Sequence, residues 1–217
     1  MKLPELLDKL DAAGFYRFVD PGRIAALKEE TGARGTIFHP DEGRLLGTSG
    51  ETIFYGGVKN LLGELSGTLR ELGVNLALEV EYVTVTARHP TTGETFEFLK
   101  RKGDAKDIPP AKAGPGAIAV TQDYVEDERY TVTLNGATWP IWDSSVTEDP
   151  WNHAANNVLK LLNALLREAG SDEWVYWMTI DDCDVLIILT DQQHDLIQTS
   201  GLLPDHITIS REAVCMN

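Results

Sequence analysis

Two amphipathic helical stretches, 97 positions apart, constrain this chain more than any other feature. From Val58 to Leu72 the apolar residues Val58, Leu61, Leu62, Leu65, Leu69 and Leu72 recur at helical spacing, and Gly73 stops the run. Residues 151–169 repeat the pattern ahead of Gly170. A shift of 97 lays Asn60 on Asn157, Leu62 on Leu159, Leu65 on Leu162 and Leu69 on Leu166. It continues through Arg70, Glu71 and Gly73 onto Arg167, Glu168 and Gly170. A helix with one apolar stripe must bury it against a second layer, so the neighbouring segments should supply sheets.

Strand signals flank both helices. In the first half, 35–39 and 44–48 surround the turn-forming Pro40-Asp41-Glu42-Gly43 and predict a hairpin, with 52–55 as a further strand. The alternation of Leu76, Leu78, Val80 and Tyr82 predicts a strand that pairs with 94–99 across the His-Pro-Thr-Thr-Gly turn at 89–93. In the second half, 129–134 and 137–142 flank Asn135-Gly136, which accepts the positive φ of a type I′ turn. Residues 174–180 and 184–190 form another hairpin around 181–183, and Asp191 caps a last short helix to about 199. Two short helices open the chain. One covers 3–13 and ends at Gly14; the other has Asp20 as N-cap, Pro21 at its first position and Gly32 just past its end.

The expected fold class is therefore α+β, with two similar strand-strand-helix-strand-strand units arising by internal duplication. Antiparallel sheets would carry their helices on one face. The N-terminal unit spans 1–99, its two short helices in front; residues 118–217 form the second unit. Residues 100–117 hold three of the ten prolines and a run of lysines without apolar period, and read as a linker or long loop.

Charge separates the two halves where pattern unites them. Residues 113–217 carry 17 Asp and Glu against four Lys and Arg, a net of −13, whereas residues 1–112 carry 17 against 15, a net of −2. Such a field draws cationic partners and repels phosphate, which argues against nucleic acid as a ligand. No stretch reaches the roughly 18 apolar residues of a membrane span, and the opening Met-Lys-Leu-Pro-Glu lacks the apolar stretch of an export signal. With two cysteines, Cys183 and Cys215, the expected setting is cytoplasmic and the thiols reduced.

No motif fixes a chemistry. The glycines at 47, 50, 56 and 57 fit neither nucleotide-binding spacing, and the five histidines lack zinc-site spacing, so no cofactor and no metal is expected. Three carboxylates, Asp181, Asp182 and Asp184, share one turn but lack the alternating ligands of a calcium loop. Cys183 sits among them, where carboxylates disfavour its thiolate, with His194 on the following helix. Acids and aromatics combine at Asp143, Glu148, Asp149 and Trp151, and again at Asp172 and Glu173 ahead of Trp174, Tyr176 and Trp177. Tryptophan on open surface is enriched where partners dock. These positions, Asp143, Glu148, Asp149, Trp151, Asp172, Glu173, Asp181, Asp182 and Asp184, are the candidate partner-binding residues, and no catalytic residue is assigned.

The expectation is a non-enzymatic acidic binding protein that engages and neutralises a basic protein, for which a bacterial toxin immunity protein is the concrete example. Two rivals remain open. One is a hydrolase working through Asp143, Asp149 or Asp184 with His153; the other is a chaperone or adaptor for a secreted protein, which should expose a large apolar patch.

Overall fold

The computed structural model describes residues 1–47, 57–88, 93, 95–101, 125–145, 149–180 and 183–212. Five α-helices are described: α1 (Leu3–Ala12), α2 (Ile24–Arg34), α3 (Val58–Glu71), α4 (Pro150–Glu168) and α5 (Asp191–Thr199). The strands are β1 (Leu45–Gly47), β2 (Leu78–Arg88), β3 (Thr95–Arg101), β4 (Val125–Leu134), β5 (Ala137–Asp143), β6 (Glu173–Ile180), β7 (Cys183–Thr190) and β8 (Ile207–Ser210). They form two antiparallel sheets, ordered β3-β2-β4-β5 and β1-β7-β6-β8.

Alternation along the strands stacks these sheets into layers. One core joins Val83 and Val85 of β2, Tyr130, Val132 and Leu134 of β4, the leucines of α3 and α4, and Val175, Trp177, Leu186 and Ile188 of β6 and β7. The two long helices therefore lie between an outer sheet and a central one. The opposite parity of β6 and β7, Tyr176, Met178, Ile187 and Leu189, packs into a second core with Leu6 and Leu10 of α1, Leu27 of α2 and Ile197 of α5. Burial on both faces explains why β6 and β7 read as nearly continuous apolar runs. The expectation of helices on one face does not hold for this central sheet, and Tyr176 and Trp177, each 2% exposed, are core residues rather than a displayed aromatic face.

Strand pairing crosses between the halves. β2 pairs with β4, and β1 pairs with β7 through Leu45 opposite Ile187. The Asn135-Gly136 turn has the expected positive φ at both residues, 52° and 76°. The Asn135 side chain also clamps the entry to β2, accepting from Ala77 N at 2.8 Å and donating to Asn75 O at 2.8 Å.

α3 and α4 end alike. Leu72 N, Gly73 N and Val74 N donate to the carbonyls of Thr68, Arg70 and Leu69; Ala169 N, Gly170 N and Ser171 N donate to those of Leu165, Arg167 and Leu166, each 97 positions on. Both glycines have positive φ, 82° and 72°, as this helix ending requires.

The first half departs from expectation at 35–48. Residues 35–39 form no strand; Pro40–Glu42 is a short 3-10 turn with His39 Nδ1 accepting from Asp41 N at 3.2 Å, and Leu45–Gly47 alone is extended. Arg44 accounts for the difference. Its guanidinium is buried between the rings of Phe15 and Phe18, donates to the carbonyls of Phe15, Gly14 and Ile188, and holds Glu173 at 2.8 Å. A residue anchored into the loop at 14–18 and into β6 and β7 cannot also lie in a local hairpin. Gly43 beside it has φ +69° and a Cβ there would stand 3.1 Å from Phe18 Cβ, so only glycine fits.

Smaller corrections concern caps. Asp20 caps the 3-10 turn Pro21–Arg23 by accepting from Gly22 N, and α2 runs past Gly32 to a left-handed Gly35. α5 is capped by Thr190, with Gln193 completing a capping box, and Asp191 lies in its first turn. β8 was not anticipated. The expected strand at 52–55 and most of the segment 100–117 lie outside the described residues.

Candidate functional site

α4 and β6 set the geometry of the candidate site. They join through a tight connection at 169–172 and run back along each other, locked by Asn163, whose amide accepts from Val175 N at 2.7 Å and donates to Val175 O at 3.0 Å. From Asn163 back to Pro150 the helix covers about 20 Å at 1.5 Å per residue. From Val175 forward to Ile180, the end of β6, the strand covers about 17 Å at 3.3 Å per residue. Asn157 donates to Ile141 O at 2.9 Å, which aligns the end of β5 with the same first turns of α4. Asp143, Asp149, Trp151 and Asp184 are thereby gathered at one end of the molecule.

Each of these carboxylates is held locally. Asp143 accepts from Arg129 Nε at 2.6 Å and from Ser145; burial pushes its carboxyl up, but Ser145 and Arg129 outweigh it and hold it below the usual range. Asp149 is the N-cap of α4, accepting from Asn152 N at 3.0 Å and from the Asn152 side chain. Asp184 accepts from Trp177 Nε1 at 3.1 Å and Thr179 Oγ1 at 3.0 Å. Trp151 is half-buried in the first turn of α4. Glu148, Asp181 and Asp182 lie outside the described residues.

Asp172 and Glu173 belong to the opposite end, beyond the C-terminus of α4. Asp172 is exposed and 3.6 Å from Arg17. Glu173 is 1% exposed, its carboxylate shared by Arg44 at 2.8 Å and Arg17 at 3.1 Å. It is a corrected site residue: a carboxylate sealed between two arginines cannot meet a partner. Sequence pattern could not reveal this, since Arg44 lies 129 residues away.

Between the first turns of α4 and the segment after β8 runs a cleft of about 740 Å³, lined by Asp149, Asn152, His153, Asn156, Lys160, Arg211 and Glu212. Spacings of three and four place the α4 residues on one polar stripe beside the apolar one. His153 Nδ1 is buried and accepts no hydrogen bond. The Arg211 guanidinium turns away, stacking over Trp174 at 4.3 Å and pairing with Asp191 and the Tyr176 hydroxyl. Sequence reading named Asp149 and His153 but missed Lys160, Arg211 and Glu212. The β-branched alternation Ile207-Thr208-Ile209-Ser210 after Pro204-Asp205 was the available signal for this wall.

Among the described residues, Asp143 and Asp184 accept from other groups, both Asp149 oxygens accept from Asn152, and His153 Nδ1 has no hydrogen-bond partner. His194 stacks flat on Tyr176 at 4.7 Å. It follows β7, whose seven steps from Cys183 span about 23 Å, so it does not approach that turn. Among the described residues no group of three or more His, Cys, Asp or Glu is placed to hold a metal, and no helix is long and apolar enough to cross a membrane. Met1 is the one exposed large hydrophobic residue among those described.

Comparison with models of protein families, with curated proteins and with solved structures found no match.

Proposed function

We propose that this chain is a non-enzymatic binding protein whose acidic second half engages and neutralises a basic protein, in the manner of a bacterial toxin immunity protein. One observation carries the reading. Of the four bases of the second half, Arg129 and Arg211 pair with Asp143 and Asp191 and Lys160 and Arg167 are exposed, against 17 acids, of which Glu168, Asp205 and Glu212 are exposed with no cationic partner among the described residues. The excess negative charge therefore faces solvent, where it raises the encounter rate with a cationic surface and falls off with salt. Trp151 and Trp174, each half-buried, supply apolar contact area beside it.

The two halves are proposed to descend from one duplicated unit. The matched hydrogen bonds at the ends of α3 and α4 support this, and the unlike strand orders of the two sheets mark later divergence. If the halves share a folding requirement, a charge difference of this size has another use.

A pull-down with the full chain from its native host, eluted with salt, tests the function. A basic protein should be recovered, a variant reversing Glu168, Asp205 and Glu212 to lysine should lose it, and co-expression should suppress the toxicity of the recovered protein. Recovery of no basic protein, together with no rescue of growth, removes the reading.

A further inference from the structure

The chain holds one Asn-Gly pair, and it stands exposed at the tip of the β4–β5 hairpin. Such a pair carries its own chemistry. The backbone nitrogen of the glycine can attack the side-chain carbonyl carbon of the asparagine, and glycine has no Cβ to obstruct the approach. A bond forms between Gly136 N and Asn135 Cγ, closing a succinimide ring. The Cγ–Nδ2 bond breaks; the Gly136 amide proton passes to solvent, and the departing nitrogen takes one up to leave as ammonia. Water then opens the ring to aspartate or isoaspartate. This sensitivity is one reason asparagine is scarce in heat-resistant proteins.

The fold holds that side chain to a segment about 60 positions earlier in the chain. Asn135 N donates to Ala77 O at 3.0 Å, Oδ1 accepts from Ala77 N at 2.8 Å, and Nδ2 donates to Asn75 O at 2.8 Å. The last two bonds fix the carboxamide from both ends, and turning it onto Gly136 N gives them up. They also require one acceptor and one donor. A carboxamide supplies both, whereas a carboxylate only accepts. The place is sensitive because the β2–β4 ladder is irregular between Leu78 and Val80, directly after Ala77. The Asn135 clamp thus fixes how the connection from α3 enters the outer sheet.

We propose that Asn135 is a deamidation site gated by this clamp: it converts in chains whose hairpin tip has parted from residues 75–77, and the product cannot restore the bond to Asn75 O. Aspartate sets a negative charge against that carbonyl oxygen. Isoaspartate adds a backbone carbon to a turn whose two residues are matched to the twist of the strands. Either product makes reclosure less favourable, so the outer sheet keeps an irreversible record of its own openings. The argument is independent of any partner of the acidic half.

The full chain is incubated at neutral pH, folded and in unfolding urea, and conversion at Asn135 is followed by peptide mapping of the acid and isoaspartate products. Conversion should be slower in the folded chain by about tenfold or more, since two hydrogen bonds must open first. It should quicken with urea below the unfolding transition, as local opening grows. Ala77→Pro leaves the Asn-Gly pair intact but removes the N–H that Oδ1 accepts from, and should speed conversion in the folded chain by about threefold or more. Asn135→Asp, which carries the product's charge, should quicken amide exchange at Ala77. Equal rates in the folded and unfolded chain, or a folded Ala77→Pro chain that converts no faster than the parent, would overturn the gate. No conversion in the unfolded chain would overturn the site itself. Should Ala77→Pro fail to fold, the urea series on the parent decides.

Discussion

Glu173 and Glu212 belong to the same acidic half, and their surroundings could hardly differ more. Glu173 sits at the junction of the N-terminal helices with the central sheet, sealed at 1% exposure between Arg44 and Arg17. Glu212 stands on the rim beside β8, exposed and without a cationic partner among the described residues. Nearby in the sealed region Glu42 is fully buried, neither carboxylate oxygen accepting a hydrogen bond. Acids inside this protein are elements of its construction, and those on the rim are spare. Net charge alone does not separate the two kinds.

The sharpest way to break this contrast is to cut the internal pair. Arg44→Ala leaves the buried Glu173 carboxylate with Arg17 alone and should cost about 3–5 kcal/mol in urea unfolding. Replacing both partners, Arg44→Met with Glu173→Leu, should recover most of that loss, because two desolvated charges vanish together. A loss below about 1 kcal/mol for Arg44→Ala would place the pair with ordinary surface bridges.

The next effect is one of pH. Burial pushes the Glu42 carboxyl up to about 8 from an ordinary 4.5, against the opposing influence of the His39 backbone and Arg44. The folded chain then holds a proton that the unfolded chain releases. Stability should fall as pH rises through the window from 4.5 to about 8, by up to about 1.4 kcal/mol per unit. Glu42→Gln should flatten that slope in melts taken across the window. Burial also raises the neighbouring Tyr16 hydroxyl, and Asp11 and Asp8, with Glu42 once it ionises, push it the same way.

A smaller effect compares the two helix ends. Gly73→Ala and Gly170→Ala each place a Cβ at positive φ, and a Cβ at Gly73 meets only Ala169 at 3.9 Å. Each should cost about 1 kcal/mol, nearly equally, in thermal unfolding. A large inequality would show that the matched ends carry different loads.

Much of the fold was readable because local pattern and tertiary demand coincide. α3, α4, β6 and β7 sit within one residue of their expected places, and the Asn135-Gly136 hairpin has its turn and β5 where expected while β4 starts four residues earlier, since each buries the face its periodicity displays. The region around 35–48 was not readable. Its turn residues promised a hairpin, but Arg44 takes its partners from residues 14–15, 173 and 188, and no local pattern encodes them. The candidate site divides in the same way. Asp149 declares itself by preceding Pro150 and a helix, whereas Glu173 looked identical to a surface acid. The far wall of the cleft, Arg211 and Glu212, follows β8, and β8 is placed beside β6 by the order of strands in the central sheet.

The most direct test concerns the rim. Stability by urea unfolding, together with association with the recovered basic protein, should be measured for the chain carrying Glu168→Gln, Asp205→Asn and Glu212→Gln. The account predicts unfolding free energy within about 0.5 kcal/mol of the parent and an association rate that falls and loses much of its salt dependence. Lost stability with unchanged association would show that these acids serve the fold, and would contradict the account.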